Sequence, residues 1–186
     1  MIGYAICGSF CTHDQALEIL RFFTEQGIDV QPVLSHNAYT ISTRFGKAPE
    51  FVKKVESITG RKVFHTIEES EAIGPDDLLD ALIIAPCTGN TLAKLAHGIT
   101  DTAVTMAAKA TLRNSKPLII GLCTNDALSA NAPNLGAMLG KKNVYFVPFY
   151  QDDIKKKPAS AVCDMSLVYK TYELARGGAQ IQPLVF

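Results

Sequence analysis

The sequence has no excess of charge of either sign: 18 lysines and arginines balance 18 aspartates and glutamates. A general electrostatic footprint for nucleic acid is therefore absent, and a 47% apolar content is far from that of a disordered chain. Cysteine is sparse and scattered, at Cys7, Cys11, Cys87, Cys123 and Cys163. No CxxC pair or histidine-rich cluster accompanies them, so no metal site is indicated. An odd number of isolated thiols points to a reduced, cytosolic protein. Residues 1–7 are apolar but lack a basic n-region, and the run breaks at Gly8, which argues against a signal peptide. No apolar run approaches the length of a membrane span. Repeats, low-complexity segments and linkers are missing too, so residues 1–186 read as one soluble intracellular domain with a sizeable core. Neither GxGxxG nor GxxxxGK[ST] occurs, which leaves a dinucleotide fingerprint or an NTPase loop unsupported.

What the chain does have is a repeated unit of buried strand, small polar turn and helix. The clearest example lies in Leu78–Asp101. Ala81–Ala85 is a short apolar run of the kind buried on both faces of a parallel sheet, and Pro86, which cannot donate a ladder hydrogen bond, is expected to end it. Cys87-Thr88-Gly89-Asn90-Thr91 then supplies capping residues ahead of a helical pattern at Leu92, Leu95 and Ala96. Such a turn can simply cap a helix. Five consecutive small or polar residues exceed what one cap needs, and they favour a ligand role at the carboxyl edge of the sheet.

Other segments repeat the pattern. Ile2–Cys7 reads as a first strand, then Gly8-Ser9 turns into a helix from about Asp14 to Gln26. Thr12 and Gln15 have the spacing of a capping box, and Gly27 stops the helix. Gly8-Ser9 suits either a phosphate seat or an ordinary tight turn. Ile28–Leu34 reads as a second strand opening onto a loop, Ser35–Ala38; Ser35 offers another hydroxyl, and His36 is either an acid–base group or a solvated loop residue. Residues 40–77 are less regular, with a helix through Phe51, Val52, Val55 and Ile58 ended by Gly60. A short strand at Arg61–His65 and an acidic helix at Thr66–Ile73 follow, and Gly74-Pro75-Asp76 starts a further helix. Lys53-Lys54 and Glu68-Glu69-Glu71 read as solvated faces. Thr102–Leu112 is an alanine-rich helix able to pack closely within the domain or against a neighbouring subunit. Pro117–Leu122 is a fourth strand opening onto Cys123-Thr124-Asn125-Asp126, Leu135–Leu139 a short helix and Val144–Pro148 a last strand. Gln151–Ala159 is expected to be a mobile loop and Cys163–Ala175 a terminal helix followed by a short tail. The alternation predicts an α/β fold, a doubly wound, Rossmann-like or flavodoxin-like parallel sheet flanked by helices in three layers. Polar turns after the first, second, central and fourth strands then converge on one edge.

Ala85-Pro86-Cys87-Thr88-Gly89-Asn90-Thr91-Leu92-Ala93-Lys94-Leu95-Ala96, with Gly98 and Asp101, resembles the A-P-x-T-x-N-T-x-A-K-x-A-x-G-x-x-D signature of the flavoprotein superfamily. That superfamily includes flavin-containing cysteine decarboxylases and flavin prenyltransferases. The resemblance implies FMN across the carboxyl edge, with Gly8, Ser9 and Ser35 at its phosphate, Thr88 and Asn90 facing the flavin or substrate, and Pro86 and Thr91 also among the cofactor-binding residues. The decarboxylase branch carries a histidine shortly before the central strand and a P-x-M-N-x-x-M-W substrate loop. Here His65 lies further upstream, the loop reads Cys123-Thr124-Asn125-Asp126, and the chain has no tryptophan. Cysteine decarboxylation is disfavoured accordingly.

A closer resemblance is to the family of dipicolinate synthase B subunits. It rests on Gly8-Ser9 with Cys11-Thr12, on Gly74-Pro75 through Asn90, and on Met106–Asn114, Thr124-Asn125-Asp126, Asn143–Phe149 and Gln151-Asp152. It implies a cytoplasmic enzyme of the sporulating mother cell that works with an NAD(P)-binding A subunit to oxidise dihydrodipicolinate, a small cyclic dicarboxylate, to dipicolinate. Asn90, Thr124 and Asn125, with Thr88, would orient the carboxylates, and Lys94 or Lys109 would be either counter-charges or helix-surface residues. Cys87 is either a nucleophile or a buried packing residue, and no general base is assigned. A non-catalytic accessory subunit, or an FMN-dependent decarboxylase or prenyltransferase, are the alternatives. The superfamily's habit of forming trimers or larger assemblies implies a homo-oligomer.

Overall fold

A computed structural model describes residues 1–186. Eight α-helices and seven strands alternate for most of the chain: β1 (Ile2–Ile6), α1 (His13–Glu25), β2 (Val30–Leu34), α2 (His36–Thr40), α3 (Ala48–Thr59), α4 (Ile67–Glu71), β3 (Leu82–Cys87), α5 (Gly89–Ala96), α6 (Ala103–Arg113), β4 (Leu118–Thr124), α7 (Ala132–Leu139), β5 (Val144–Phe146), β6 (Phe149–Tyr150), β7 (Ala161–Cys163) and α8 (Val168–Arg176). Strands β2, β1, β3, β4 and β5 pair in that order and in parallel, as the expected doubly wound sheet requires. Every residue of β1 and β3 is buried, which is why both read as unbroken apolar runs. The helices form two packed groups, α1 with α3 and α8, and α6 with α4 and α5, α5 also touching α7. The alanines of α6, at 103, 107, 108 and 110, are buried within this chain against those neighbours. No helix is long and apolar enough to cross a membrane.

Several boundaries differ from the sequence expectation, each for a local reason. Pro86 does not end the central strand: β3 continues to Cys87, because the register shifts between Ile84 and Cys87 and Pro86 only needs to accept, from the Cys7 N–H at 3.1 Å. Strand β2 starts at Val30, since the Ile28 N–H still closes α1 on the Phe23 carbonyl while Gly27 turns at φ 74°. The Thr12–Gln15 capping box does not form. Residues 10–12 make a turn of 3-10 helix instead, and the Thr12 hydroxyl donates to the Ser9 carbonyl at 2.8 Å. Ser35–Ala38 is no loop: the Ser35 hydroxyl caps α2, accepting from the Ala38 N–H. Arg61–His65 reduces to one bridge between Val33 and Phe64, and residues 74–77 form a turn without a helix.

The largest difference lies in the last quarter. Strand β5 pairs with Leu118–Ile120 of β4, and further along the same edge Cys123 and Thr124 pair antiparallel with β7. Strand β6 pairs with β7, so the segment Gln151–Ala159 is the turn of a hairpin overhanging the carboxyl end of the sheet. Cys163 therefore belongs to a strand, and the terminal helix begins at Val168. The tail folds back: Val185 bridges to Phe149, and Gln180 bonds both the N–H and the carbonyl of Phe146.

Candidate functional site

Three strand-end turns and the hairpin enclose one cleft of about 350 Å³ at the carboxyl edge of the sheet. The turn after β1 supplies Gly8, Ser9, Cys11 and Thr12; the turn after β3 supplies Thr88; the end of β4 supplies Cys123 and Thr124, and the turn after it Asn125; the hairpin adds Asp152, Lys157, Ser160 and Val162. The site lies where strand order reverses, with β1 and β3 side by side.

The first turn is braced from below. His13 is buried, stacked on Phe51 at 4.3 Å between ring centroids, and its Nε2 lies 2.9 Å from the Cys7 carbonyl. A carbonyl only accepts, so Nε2 carries the proton. A Cβ on Gly8 would come within 3.2 Å of the Asn37 Cβ, so glycine lets α2 approach the turn. Burial lowers the His13 pKa below its ordinary 6.5, outweighing the bond to Cys7, which raises it. The unfolded chain thus binds the proton more readily, and folding is expected to lose stability as pH falls through 6.5. The loss levels off below the depressed native value. Urea unfolding across a pH series tests this: His13→Gln, which retains an N–H donor, should flatten the acid slope, and an unchanged slope would contradict the assignment.

The second turn is a tight hydroxyl network. Thr88 caps α5, accepting from the Thr91 N–H, and its hydroxyl donates to Thr91 Oγ1 at 3.1 Å. Thr91 Oγ1 in turn lies 3.4 Å from the Cys7 Sγ, tying the first and second turns together. Burial raises the Cys7 thiol to about 11 and holds Cys87 well above its usual range; Cys87 has no solvent exposure, does not line the cleft and packs in the core. At the end of β4, Thr124 donates to Asp126 Oδ1 at 2.5 Å, and Asn131 Nδ2 donates to Asp126 Oδ2 at 2.8 Å. This network lies directly on Gly89. Below it, Cys123 and Cys163 approach to 3.6 Å between sulfurs, a contact that lowers the pKa of Cys123 and, together with burial, raises that of Cys163.

Of the residues expected at the site, Gly8, Ser9, Thr88, Thr124 and Asn125 meet at the cleft. Ser35 is engaged as the α2 cap, Pro86 and Thr91 are buried, and Asn90 is exposed on the first turn of α5, outside the lining. Lys94 pairs with Asp101 at 2.8 Å, Lys109 is exposed on α6, and His36 is exposed on α2; none lines the cleft. His65 stacks on Tyr39 at 3.8 Å, also away from it. The hairpin residues Asp152, Lys157 and Ser160 escaped sequence reasoning, because strands of two and three residues carry too little alternation to be recognised.

A lining of hydroxyls and one amide with a paired ammonium and carboxylate suits a polar ligand. The family model described as Flavoprotein matches residues 1–166. The dipicolinate synthase B subunit of Bacillus subtilis (strain 168) is 43% identical over 184 residues, 99% of this chain and 92% of the relative. The crystal structure of the dipicolinate synthase B subunit from Bacillus halodurans C superposes with a TM-score of 0.91 at 39% identity, covering 100% of this chain and 95% of the other. The FMN-dependent cysteine decarboxylase SpaF, at 20% identity and a TM-score of 0.69 over 95% and 96% of the two chains, shares the fold. The chain therefore belongs to the flavoprotein family and, within it, to the dipicolinate synthase B subunits.

Proposed function

We propose that this chain works with an NAD(P)-binding A subunit in the sporulating mother cell, oxidising dihydrodipicolinate to dipicolinate with FMN at the strand-end cleft. The observation that carries the reading is the convergence of Gly8–Ser9, Thr88 and Thr124–Asn125 on one cleft at the switch point of the sheet, in a chain of the B-subunit family. The residues fit such a cofactor. Ser9 offers a hydroxyl in the first turn beside Gly8, and the one carboxylate in the lining is neutralised by Lys157. Gly8, Ser9 and Thr88 would hold FMN, while Asn125 would orient the substrate carboxylates. Bound there, a flavin supplies a two-electron acceptor, which no side chain of the protein can be. The chain's own part is to position the dihydropyridine ring and its carboxylates.

One observation favours a second reading, an accessory subunit that binds substrate while the A subunit carries the chemistry. The cleft contains no histidine, and its only carboxylate, Asp152, is ion-paired. Two measurements separate the readings. A protein that purifies yellow, or takes up FMN with altered flavin fluorescence, supports the first; a colourless protein without FMN uptake removes the flavin. In the intact two-subunit complex, Asn125→Ala should lower turnover about tenfold if the cleft is catalytic, the size of a lost hydrogen bond to a charged group. Undiminished turnover in this variant favours the accessory role.

A further inference from the structure

The hairpin wall carries the cleft's charge. Among the twelve lining residues the only acid and base are Asp152 and Lys157, both from the β6–β7 turn. That turn is built by its own hydrogen bonds. Asp153 Oδ1 accepts from the N–H groups of Lys155 and Lys156 at 3.2 and 3.0 Å, and its carbonyl accepts from the Lys157 N–H. The Gln151 amide donates to the Pro158 carbonyl at 2.8 Å, and the Leu128 N–H donates to the Ala159 carbonyl at 2.9 Å, tying the turn to the segment after β4.

Within this frame each oxygen of the Asp152 carboxylate has a partner. Its Oδ1 accepts from the buried Ser160 hydroxyl at 2.5 Å and its Oδ2 from Lys157 Nζ at 2.9 Å. An ammonium has three donors, so two remain on Lys157, whose side chain is 52% exposed at the cleft. An isolated surface pair would need no third anchor. Here the carboxylate is fixed by a buried hydroxyl, which aims the ammonium from a wall otherwise made of neutral groups. A ligand carboxylate or phosphate entering the cleft meets no other cation among the lining residues.

We propose that Lys157 is the oxyanion anchor of the cleft, set in place by Asp152, its ammonium binding a carboxylate or phosphate of the ligand that the three strand-end turns hold. The proposal rests on reading the cleft as the ligand site of the dicarboxylate oxidation. Calorimetric titration of the full chain, of Lys157→Met and of Lys157→Arg tests it, with dipicolinate, FMN, riboflavin and inorganic phosphate as probes. If the anchored group is the substrate carboxylate, Lys157→Met binds dipicolinate at least about tenfold more weakly and FMN unchanged. If it is the cofactor phosphate, FMN weakens by that factor and riboflavin does not. Either pattern, with affinity restored in Lys157→Arg, sustains the anchor. Unchanged affinities in Lys157→Met for every probe that the wild type binds overturn it while leaving the cleft reading intact. Should the wild type bind neither FMN nor dipicolinate, the cleft reading fails. The anchor then survives only if phosphate binds the wild type and binds Lys157→Met at least tenfold more weakly. A wild type that binds none of the probes overturns both.

Discussion

Phe23→Ala is expected to lower the stability of the fold by about 3–5 kcal/mol, the range for removing a buried aromatic ring. Phe23 has no solvent exposure and joins three elements: its ring lies 6.0 Å from Tyr4 on β1, and 5.2 and 5.5 Å from Tyr169 and Tyr172 on α8. Truncation loses both the transfer energy of the ring and the contacts of a cluster whose members are themselves too large to collapse into the gap. Against a typical total of about 5–15 kcal/mol, that is a large fraction of what holds a domain together. The measurement is urea unfolding, where the midpoint should fall with little change in slope, and Phe23→Leu should lose much less. A loss below about 1 kcal/mol for the alanine variant would mean that α1 and α8 are not joined through this ring.

Gly89→Ala is expected to be the most damaging small substitution at the candidate site. A Cβ at this position would lie 2.6 Å from Asn131 Nδ2 and Thr124 Oγ1 and 2.7 Å from Asp126 Oδ1. Those atoms cannot simply swing away, because they are bonded to one another around the Asp126 carboxylate. Two effects compete. Alanine is the better helix former by about 1 kcal/mol, but overpacking costs about 1–3 kcal/mol, and disturbing a half-buried hydrogen-bonded carboxylate adds to it. Destabilisation wins, at about 2 kcal/mol. Because the displaced Thr124 and the neighbouring Thr88 both line the cleft, ligand affinity should fall at least tenfold as well. Gly136→Ala is the matched control: its Cβ would meet nothing within 4 Å on exposed α7, so it should be neutral or stabilising by up to about 1 kcal/mol. If thermal denaturation ranks the two variants equally, the crowding at Gly89 is not what makes glycine necessary.

Much of this architecture was legible because its determinants are local. The apolar runs at 2–7, 81–85 and 117–122 announce strands buried on both faces, and Gly27, Gly60 and Gly98 close helices in left-handed conformations at φ 74°, 66° and 70°. Thr88 and Thr102 cap helices where the sequence places small hydroxyl residues before apolar periodicity. The resemblance to the flavoprotein signature and to the B subunits agrees with the family model and the relatives. The local rules failed where an unexpected partner intervened. The Thr12 hydroxyl turned back to the Ser9 carbonyl instead of capping α1, and Ser35 found the Ala38 N–H instead of facing a cleft.

The sequence by itself determined the alternation of strand and helix, the parallel sheet, and the placing of polar turns at one rim, because burial periodicity and capping act over a few residues at a time. Only the tertiary structure decided which of those turns share a cleft and what forms its far wall. Strand β7 pairs with the last two residues of β4 beyond the reach of β5, and that pairing carries Asp152, Lys157 and Ser160 over the rim from a position in the chain far from the other three turns. A hairpin of such short strands is held by its neighbours and not by its own propensity, so its place becomes visible only once the sheet it completes has formed.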